Sequence, residues 1–326
     1  MLYSVVIPVY NRPDEIDELL ESLTQQTYKN FEVLIIEDGS SDKCVHIVDK
    51  YRNQLNIRYY YKANTGQGFS RNFGFSKANG DYFVVFDSDC IIPPHYFQTV
   101  TNRLSTEYID CWGGPDRAHH SFSPVQKAIN YSMTSFFTTG GMRGSNISLT
   151  DYHPRSFNMG ISKEVYDITG GYKITRMGED IEFSIRIIEH GFHSAYIERA
   201  YVYHKRRTNF KQFFKQLHFF GRARINIKRF YPNSFKPLHL YPVLFTAGFL
   251  LSIPLAFSGI PILSYIYLLF IFYAVILFSD ALRKEKSSYI ATLATFAGFI
   301  QLSAYGIGLI SEMQRELSEK DNFSSK

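Results

Sequence analysis

From Ser4 to Phe86 the chain alternates between short apolar runs and stretches whose apolar residues recur at helical spacing. Ser4–Val9, Phe31–Ile36, Ile57–Tyr61 and Tyr82–Phe86 read as strands, rich in valine, isoleucine and aromatics and too short for helices. Tyr82–Phe86 is apolar throughout, as a strand covered on both faces of a parallel sheet should be. Between the strands, Ile16, Leu19, Leu20 and Leu23 mark one face of a helix that has Pro13 at its first turn. Cys44, Ile47, Val48 and Tyr51 mark a second helix, with Ser41 as its expected cap. The alternation predicts an α/β fold on a parallel sheet with right-handed crossovers and flanking helices.

Each strand runs into polar residues. Pro8, Tyr10 and Asn11 close the first, Glu37-Asp38-Gly39-Ser40 the second, Gly66-Gln67-Gly68 the third and Asp87-Ser88-Asp89 the fourth. Four strand ends presenting polar groups at one edge describe a nucleotide crevice. Asp87 and Asp89, at i and i+2 beyond a buried strand, suit a hard divalent cation, Mg²⁺ or Mn²⁺. An isolated Asp-x-Asp is more often a solvated turn, and only the surrounding polar ends favour a site. The loop Gly66-Gln67-Gly68 opens like a dinucleotide fingerprint, but Arg71 stands where the third glycine belongs. The close helix–strand packing of that fingerprint is therefore not expected, and an NAD-type site is set aside. An arginine early in a helix suits a phosphate or base contact.

Farther on, Tyr108–Trp112 predicts a strand, and Pro115 to Phe157 shows little periodicity with many Ser, Thr and Gly residues. A long irregular segment of this kind reads as a variable acceptor side or as an insertion. His119, His120 and His153 lack metal-ligand spacing and read as surface residues. Phe157-Asn158-Met159-Gly160 precedes a short helix over Lys163–Ile168. Gly178-Glu179-Asp180 opens a further helix that Gly191 closes, and acids at a helix start are common dipole partners. Ala195–Tyr203 predicts a strand ending at His204.

Charge then changes the picture. From Lys205 to Lys236 there are ten Lys or Arg residues and no acid, with Phe210, Phe213, Phe214 and Leu217 at helical spacing. A basic helix with an aromatic face suits a membrane interface rather than nucleic acid. Pro237–Ser279 carries no charged residue and is too long for one span of ~20 residues. Ser258-Gly259-Ile260-Pro261 is expected to divide it in two. Asp280–Lys286 reads as a charged loop, and Ser287–Ser311 as a third apolar stretch in which Ala294 and Gly298 suit helix packing. The expected division is 1–204 catalytic, 205–236 interfacial, 237–311 transmembrane with two to three helices, and 312–326 a polar tail. The basic block and Arg283, Lys284 and Lys286 belong on the cytoplasmic side, which predicts an inner-membrane protein with a cytosolic catalytic domain. The net charge of +5 and 17% aromatic residues exclude a disordered chain. Three scattered cysteines fit reduced thiols, and no signal peptide is expected before the first strand.

In this order and spacing, Val5–Asn11, Glu37-Asp38-Gly39-Ser40, Arg71-Asn72 and Asp87-Ser88-Asp89 resemble the family-2 glycosyltransferases of the GT-A fold. The resemblance covers roughly residues 3–230. It implies that Pro8, Tyr10, Asn11, Asp38, Arg71 and Asp87 line the nucleotide-sugar pocket, with Asp38 on the base or ribose. It further implies that Asp89, assisted by Asp87 and completed by His204, holds the metal on the diphosphate. Asp180 matches the family's catalytic base, which implies inversion at the anomeric carbon, and Asn158, Gly160 and Glu179 fall on the acceptor side. The implied donor is a nucleotide-diphosphate sugar, with uracil favoured as the base. The implied acceptor is a lipid-linked glycan, such as a polyprenyl-linked one, or a cell-surface glycan. A processive polysaccharide synthase is disfavoured, because Gln216 is followed by Leu217-His218-Phe219 instead of the x-x-Arg-Trp expected there. A catalytically silent membrane scaffold is disfavoured by the intact Asp87, Asp89 and Asp180.

Overall fold

The computed structural model describes residues 1–140, 152–258 and 265–324. They form two compact units, Met1–His119 with Asn146–Lys205, and His120–Ser145 with Arg206–Lys326.

The first unit is built on a seven-stranded sheet ordered β3-β2-β1-β4-β8-β6-β9. Its strands are β1 (Tyr3–Val9), β2 (Phe31–Asp38), β3 (Ile57–Lys62), β4 (Tyr82–Phe86), β6 (Cys111–Gly113), β8 (Asn158–Ser162) and β9 (Ser194–Tyr196). A second sheet joins β5 (Cys90–Ile91), β10 (Val202–His204) and β7 (Asp116–Arg117) in the order β5-β10-β7. β1 to β4 pair in parallel as expected, but β8 runs antiparallel to both β4 and β6, so the main sheet is mixed. The cause lies in the chain path: Asn158 opens β8 opposite Phe86, the last residue of β4, so the chain re-enters the sheet from the end where β4 leaves it. The expected single strand Ala195–Tyr203 is two strands in different sheets, separated by a turn in which Ala200 N–H donates to Ile197 C=O at 3.0 Å.

Helices cover both faces. α1 (Pro13–Thr24), α2 (Val45–Tyr51) and α4 (Tyr96–Leu104) pack with Val5, Ile7 and Val9 of β1, whereas α3 (Gln67–Phe75), α7 (Lys163–Thr169) and α8 (Glu179–Glu189) pack with Val6, Leu34 and Val85. Two-sided cover is why the central strands carry apolar residues at successive positions. The N-cap of α2 is Cys44 with no side-chain cap, so the capping role expected of Ser41 is absent. The close packing thought missing with the third fingerprint glycine is present three residues later: a Cβ on Gly74 would lie 2.3 Å from Val6 Cγ1. Gly160 has the same function within the sheet, since a Cβ there would lie 2.1 Å from the ring of fully buried Trp112.

The second unit holds α5 (Pro124–Thr134), α6 (Phe136–Thr139), α9 (Phe210–Phe230), α10 (Tyr241–Ala256), α11 (Ile266–Glu285) and α12 (Ser288–Ser324). The stretch read as irregular, Pro115–Phe157, thus contains β7, α5 and α6; its residues 141–151 lie outside the described residues, as does most of the expected break Ser258-Gly259-Ile260-Pro261. Helix α5 forms because Ser123 and Gln126 cap its first turn reciprocally. The apolar lengths Pro237–Ala256, Ile266–Glu285 and Ser288–Ser318 are each long and apolar enough to cross a membrane. Residues Asp280–Glu285, expected in a loop, instead end α11, with Asp280 accepting hydrogen bonds from Tyr131 Oη at 2.8 Å and Arg283 at 3.1 Å. Phe213 and Leu217, expected on a membrane-facing stripe, are buried against Ile129, Met133 and Ala297, while Phe214 and Phe219 stay exposed. Ala294 is buried beside Leu277 as its spacing predicts. Glu312, itself buried, receives Arg222 at 2.8 Å and Arg229 at 3.2 Å, tying α9 to α12.

Trp112 is the protein's one tryptophan, so its fluorescence reports this packing directly. Replacing Gly160 with alanine is expected to cost about 1–3 kcal/mol from overpacking. The thermal midpoint of the purified protein should fall, with Trp112 emission shifted to the red. An unchanged midpoint and spectrum would contradict this packing.

Candidate active site

The carboxyl ends of β1, β2, β3 and β4 bring the polar residues together. Asp87 and Asp89 follow β4, where the chain turns and Cys90 N–H donates to Asp87 C=O at 3.1 Å. Arg71 sits on α3 and is 1% exposed, yet it is a full positive charge. Its Nη2 donates to Asp87 Oδ1 at 2.8 Å, its Nη1 lies 3.4 Å from Glu179 Oε1, and its guanidinium stands 5.3 Å from the Tyr172 ring centroid. Burial works to lower the Arg71 pKa, but Tyr172, Asp87 and Glu179 outweigh it and hold the guanidinium charged. Its Nε is buried without a hydrogen-bond partner among the described residues.

Glu179 and Asp180 open α8 after Gly178, whose φ of 98° lies in the left-handed region. The two acids diverge. Glu179 is buried and accepts from Gln67 Nε2 and Arg71, while Asp180 accepts from Ile181 N–H at 2.8 Å and faces Arg155 Nη1 at 3.6 Å. Burial, with Asp180 adding to it, pushes the Glu179 carboxyl above its ordinary value despite Arg71.

Asp89 lies between Arg12 and His204: Arg12 Nη1 donates to its Oδ2 at 2.9 Å, and His204 Nε2 is 3.1 Å from its Oδ1. Cys90 and His204 are paired across β5 and β10, so their side chains share one face, and His204 stacks on Phe157 with centroids 5.0 Å apart. One donor atom from each of Asp89, Cys90 and His204 falls within 4.8 Å of the others, a possible metal-binding triad. Carboxylate and imidazole suit Mn²⁺, and Asp116 Oδ2, 4.0 Å from His204 Nδ1, stands where a carboxylate often orients a metal-binding histidine.

Asp38 accepts from Lys62 Nζ, from Thr65 N–H at 2.9 Å and from Gly66 N–H at 2.9 Å. Its carboxylate therefore braces the loop that leads into α3. Burial works to raise its pKa, but the hydrogen bonds from Lys62 and Thr65 outweigh this and hold it below the ordinary carboxylate value. Asn11 has a φ of 53° and turns its side-chain carbonyl onto Ser41 N–H at 2.9 Å and Asp42 N–H at 3.1 Å. Tyr10 is 52% exposed at the end of β1, and Pro8 is half-buried within that strand.

With this geometry in view, the chain can be compared with known proteins. The family described as glycosyl transferase family 2 matches residues 4–166, half of the chain. The chain belongs to that family. An uncharacterized glycosyltransferase of Rickettsia typhi is 33% identical over 137 residues, 40% of this chain and 42% of that protein. The poly(ribitol-phosphate) beta-N-acetylglucosaminyltransferase TarS of Staphylococcus aureus is 35% identical over 125 residues, 37% of this chain and 20% of that protein. The matched stretches thus span less than half the length of these relatives. Among solved structures, the mannosyltransferase PcManGT of Pyrobaculum calidifontis, in complex with GDP-Man and Mn²⁺, superposes with a TM-score of 0.60 at 13% identity, covering 95% of this chain and 86% of that one. TarS 1–349 in complex with UDP superposes with a TM-score of 0.50 at 19% identity, covering 96% and 92%. The fold is therefore that of the GT-A glycosyltransferases, and the protein is a family-2 glycosyltransferase.

This family-2 chain gathers Arg71, Asp87 and Glu179 into one contact group, and Asp89 with His204 into another. Asn158 and Gly160 lie on β8, paired with Phe86 and Val84 of β4. Asn158 is fully buried, donating to Ala200 C=O at 2.8 Å and accepting from Tyr96 Oη at 2.6 Å, and Gly160 makes room for Trp112. Both are interior residues of the sheet. The sequence reading missed Arg12, Lys62, Cys90 and Arg155, each of which contacts or neighbours a singled-out acid or histidine, and it named Gln67 only within the loop after β3. Of the four, Arg12 carried a signal, standing between Asn11 and the helix-opening Pro13.

A carboxyl whose folded pKa lies below its unfolded value stabilises the protein above the unfolded pKa, about 4 for aspartate, and loses that contribution as pH falls. Asp38→Asn should therefore lower the thermal midpoint at pH 7 and narrow the gap to the parent as pH approaches 3. A gap that persists undiminished at pH 3 would separate the effect from the carboxylate charge.

Proposed function

We infer that this protein is a metal-dependent, inverting glycosyltransferase that moves a sugar from a nucleotide-diphosphate sugar to a lipid-linked or surface glycan acceptor. The observation that carries the reading is the buried Arg71, whose guanidinium contacts both Asp87 at the end of β4 and Glu179 at the start of α8. It fixes the proposed donor loop and the proposed base helix to one rigid group.

In this reading Asp89 and His204, with Asp87 nearby, hold Mg²⁺ or Mn²⁺, and the bound ion would offset charge on the departing diphosphate. PcManGT, solved with GDP-Man and Mn²⁺, supports a metal at such a site, and TarS, solved with UDP, supports a nucleoside diphosphate. Pro8 and Tyr10 border the base side, and Asp38 acts there through the loop it braces. Asp180 is the general base: its carboxylate takes the proton from the attacking acceptor hydroxyl, on the face opposite the leaving group, which gives inversion. Glu179 is a positioning residue. Held by Gln67 and Arg71, it fixes the first turn of α8 and with it the direction of the neighbouring Asp180.

The acceptor reading rests on the second unit. The chain enters it for the second time at Arg206, two residues after His204, and there Arg206 fixes α5 through hydrogen bonds to Asn130 Oδ1 at 3.0 and 3.2 Å. Between α9, α10, α11 and α12 lies a cavity of about 720 Å³ lined by Phe249, Val275, Phe278, Phe296 and Phe299. An apolar cavity among membrane-length helices suits a lipid chain better than a free sugar, which favours a polyprenyl-linked acceptor over a soluble one. The cationic residues of α9 and of the α11 end support a reading in which the catalytic unit faces the cytosol at an inner membrane.

Asp180→Asn keeps the side-chain shape but cannot take the proton. Turnover should fall by about 10² to 10⁴ with donor affinity little changed, as read by transfer assays and calorimetry with a panel of nucleotide sugars. Near-normal transfer would leave Asp180 as a helix-start acid. For the acceptor, the full chain in liposomes should transfer to lipid extract far faster than to water-soluble glycan. Equal rates on both would remove the lipid from the reading.

A further inference from the structure

Two arginines reach the acidic residues after β4, and their surroundings differ. Arg71 is 1% exposed and enclosed by Asp87, Glu179 and Tyr172, so it cannot move without leaving acids unpaired inside the fold. Arg12 has a side chain 34% exposed, and it precedes α1 in a non-helical conformation without capping that helix. Its Nη1 bridges Asp89 Oδ2 and Glu15 Oε2, both at 2.9 Å. Burial works to lower its pKa, but Asp89, Glu15 and Asp87 outweigh this, so the guanidinium is a full charge against the carboxylate proposed to hold the metal.

A guanidinium on one oxygen of a carboxylate and a divalent ion on the other repel each other across it, and in a partly buried site that repulsion weakens the binding of the ion. We propose that Arg12 is a movable counter-cation: it neutralises Asp89 while the site lacks metal and transfers to the donor's diphosphate when metal and nucleotide arrive together. Glu15 holds the guanidinium beside the site during the exchange, and the exposed side chain gives it room to turn. The planar fork of arginine suits a diphosphate oxygen pair as well as a carboxylate. Metal loading is thereby coupled to donor loading. Metal alone binds against the Arg12 charge, whereas metal with a diphosphate gives that charge a new partner, so each ligand favours the other.

The proposal rests on the reading of Asp89 as a metal carboxylate. Its test is equilibrium binding with the full detergent-solubilised chain, by Mn²⁺ electron paramagnetic resonance and by calorimetry with UDP and GDP. Arg12→Gln should bind Mn²⁺ alone roughly tenfold more tightly than the parent. In saturating Mn²⁺ it should bind whichever nucleoside diphosphate the parent prefers roughly tenfold more weakly. Arg12→Lys, which keeps the charge, should stay near the parent for Mn²⁺. If Arg12→Gln binds Mn²⁺ equally or more weakly, Arg12 merely orients Asp89 and the proposal is overturned. Tighter Mn²⁺ binding with undiminished nucleotide affinity overturns the transfer to diphosphate. A parent that binds no Mn²⁺ overturns the metal reading itself, and the proposal with it.

Discussion

A buried positive charge between two acids is the constraint around which the catalytic unit is arranged. Removing a guanidinium from water costs several kcal/mol, and leaving it without partners costs about 3–5 kcal/mol more than leaving the group intact. Arg71 therefore requires Asp87 and Glu179 to stay where they are, although they come from elements far apart in the chain. Asn72, its neighbour, adds a second tie: its side chain donates to Tyr172 C=O and accepts from Tyr172 N–H, both at 2.8 Å. Helix α3 thus joins the end of β4 to the segment before α8. The approach of that helix to the sheet depends in turn on Gly74 meeting Val6.

Around this group the acids divide by environment. Asp38, Glu179 and Asp87 each accept hydrogen bonds or ion pairs from cationic side chains within the fold, which ties the loops and helices that carry them. Asp180 keeps a partly exposed carboxylate at the start of α8, and Asp89 lies between Arg12 and His204. Catalysis by a family-2 enzyme needs both kinds, since preorganised charge is effective only when its supports do not move. The second unit follows different physics. Its helices have little hydrophobic reason to associate if lipid surrounds them, so they join through small residues and buried polar contacts. Tyr131 with Asp280, and Arg222 and Arg229 with Glu312, are such contacts.

The sequence alone determined the strands β1 to β4, the helices between them and the three apolar helices, because each is encoded by a local period of apolar residues. It also determined that acids would gather at the strand ends, since topology places those ends on one edge. Only the tertiary structure decided which acids face inward. The antiparallel entry of β8, the division of Ala195–Tyr203 between two sheets and the interior placement of Asn158 all follow from long-range chain path, which leaves no local period. The pairing of Arg12 with Asp89, 77 residues apart, and of Gln67 with Glu179, 112 apart, has the same origin. Periodicity reports which side of an element is buried, but a polar partner is chosen by what the completed fold brings within hydrogen-bond reach, and that is settled only when the sheet closes around its core.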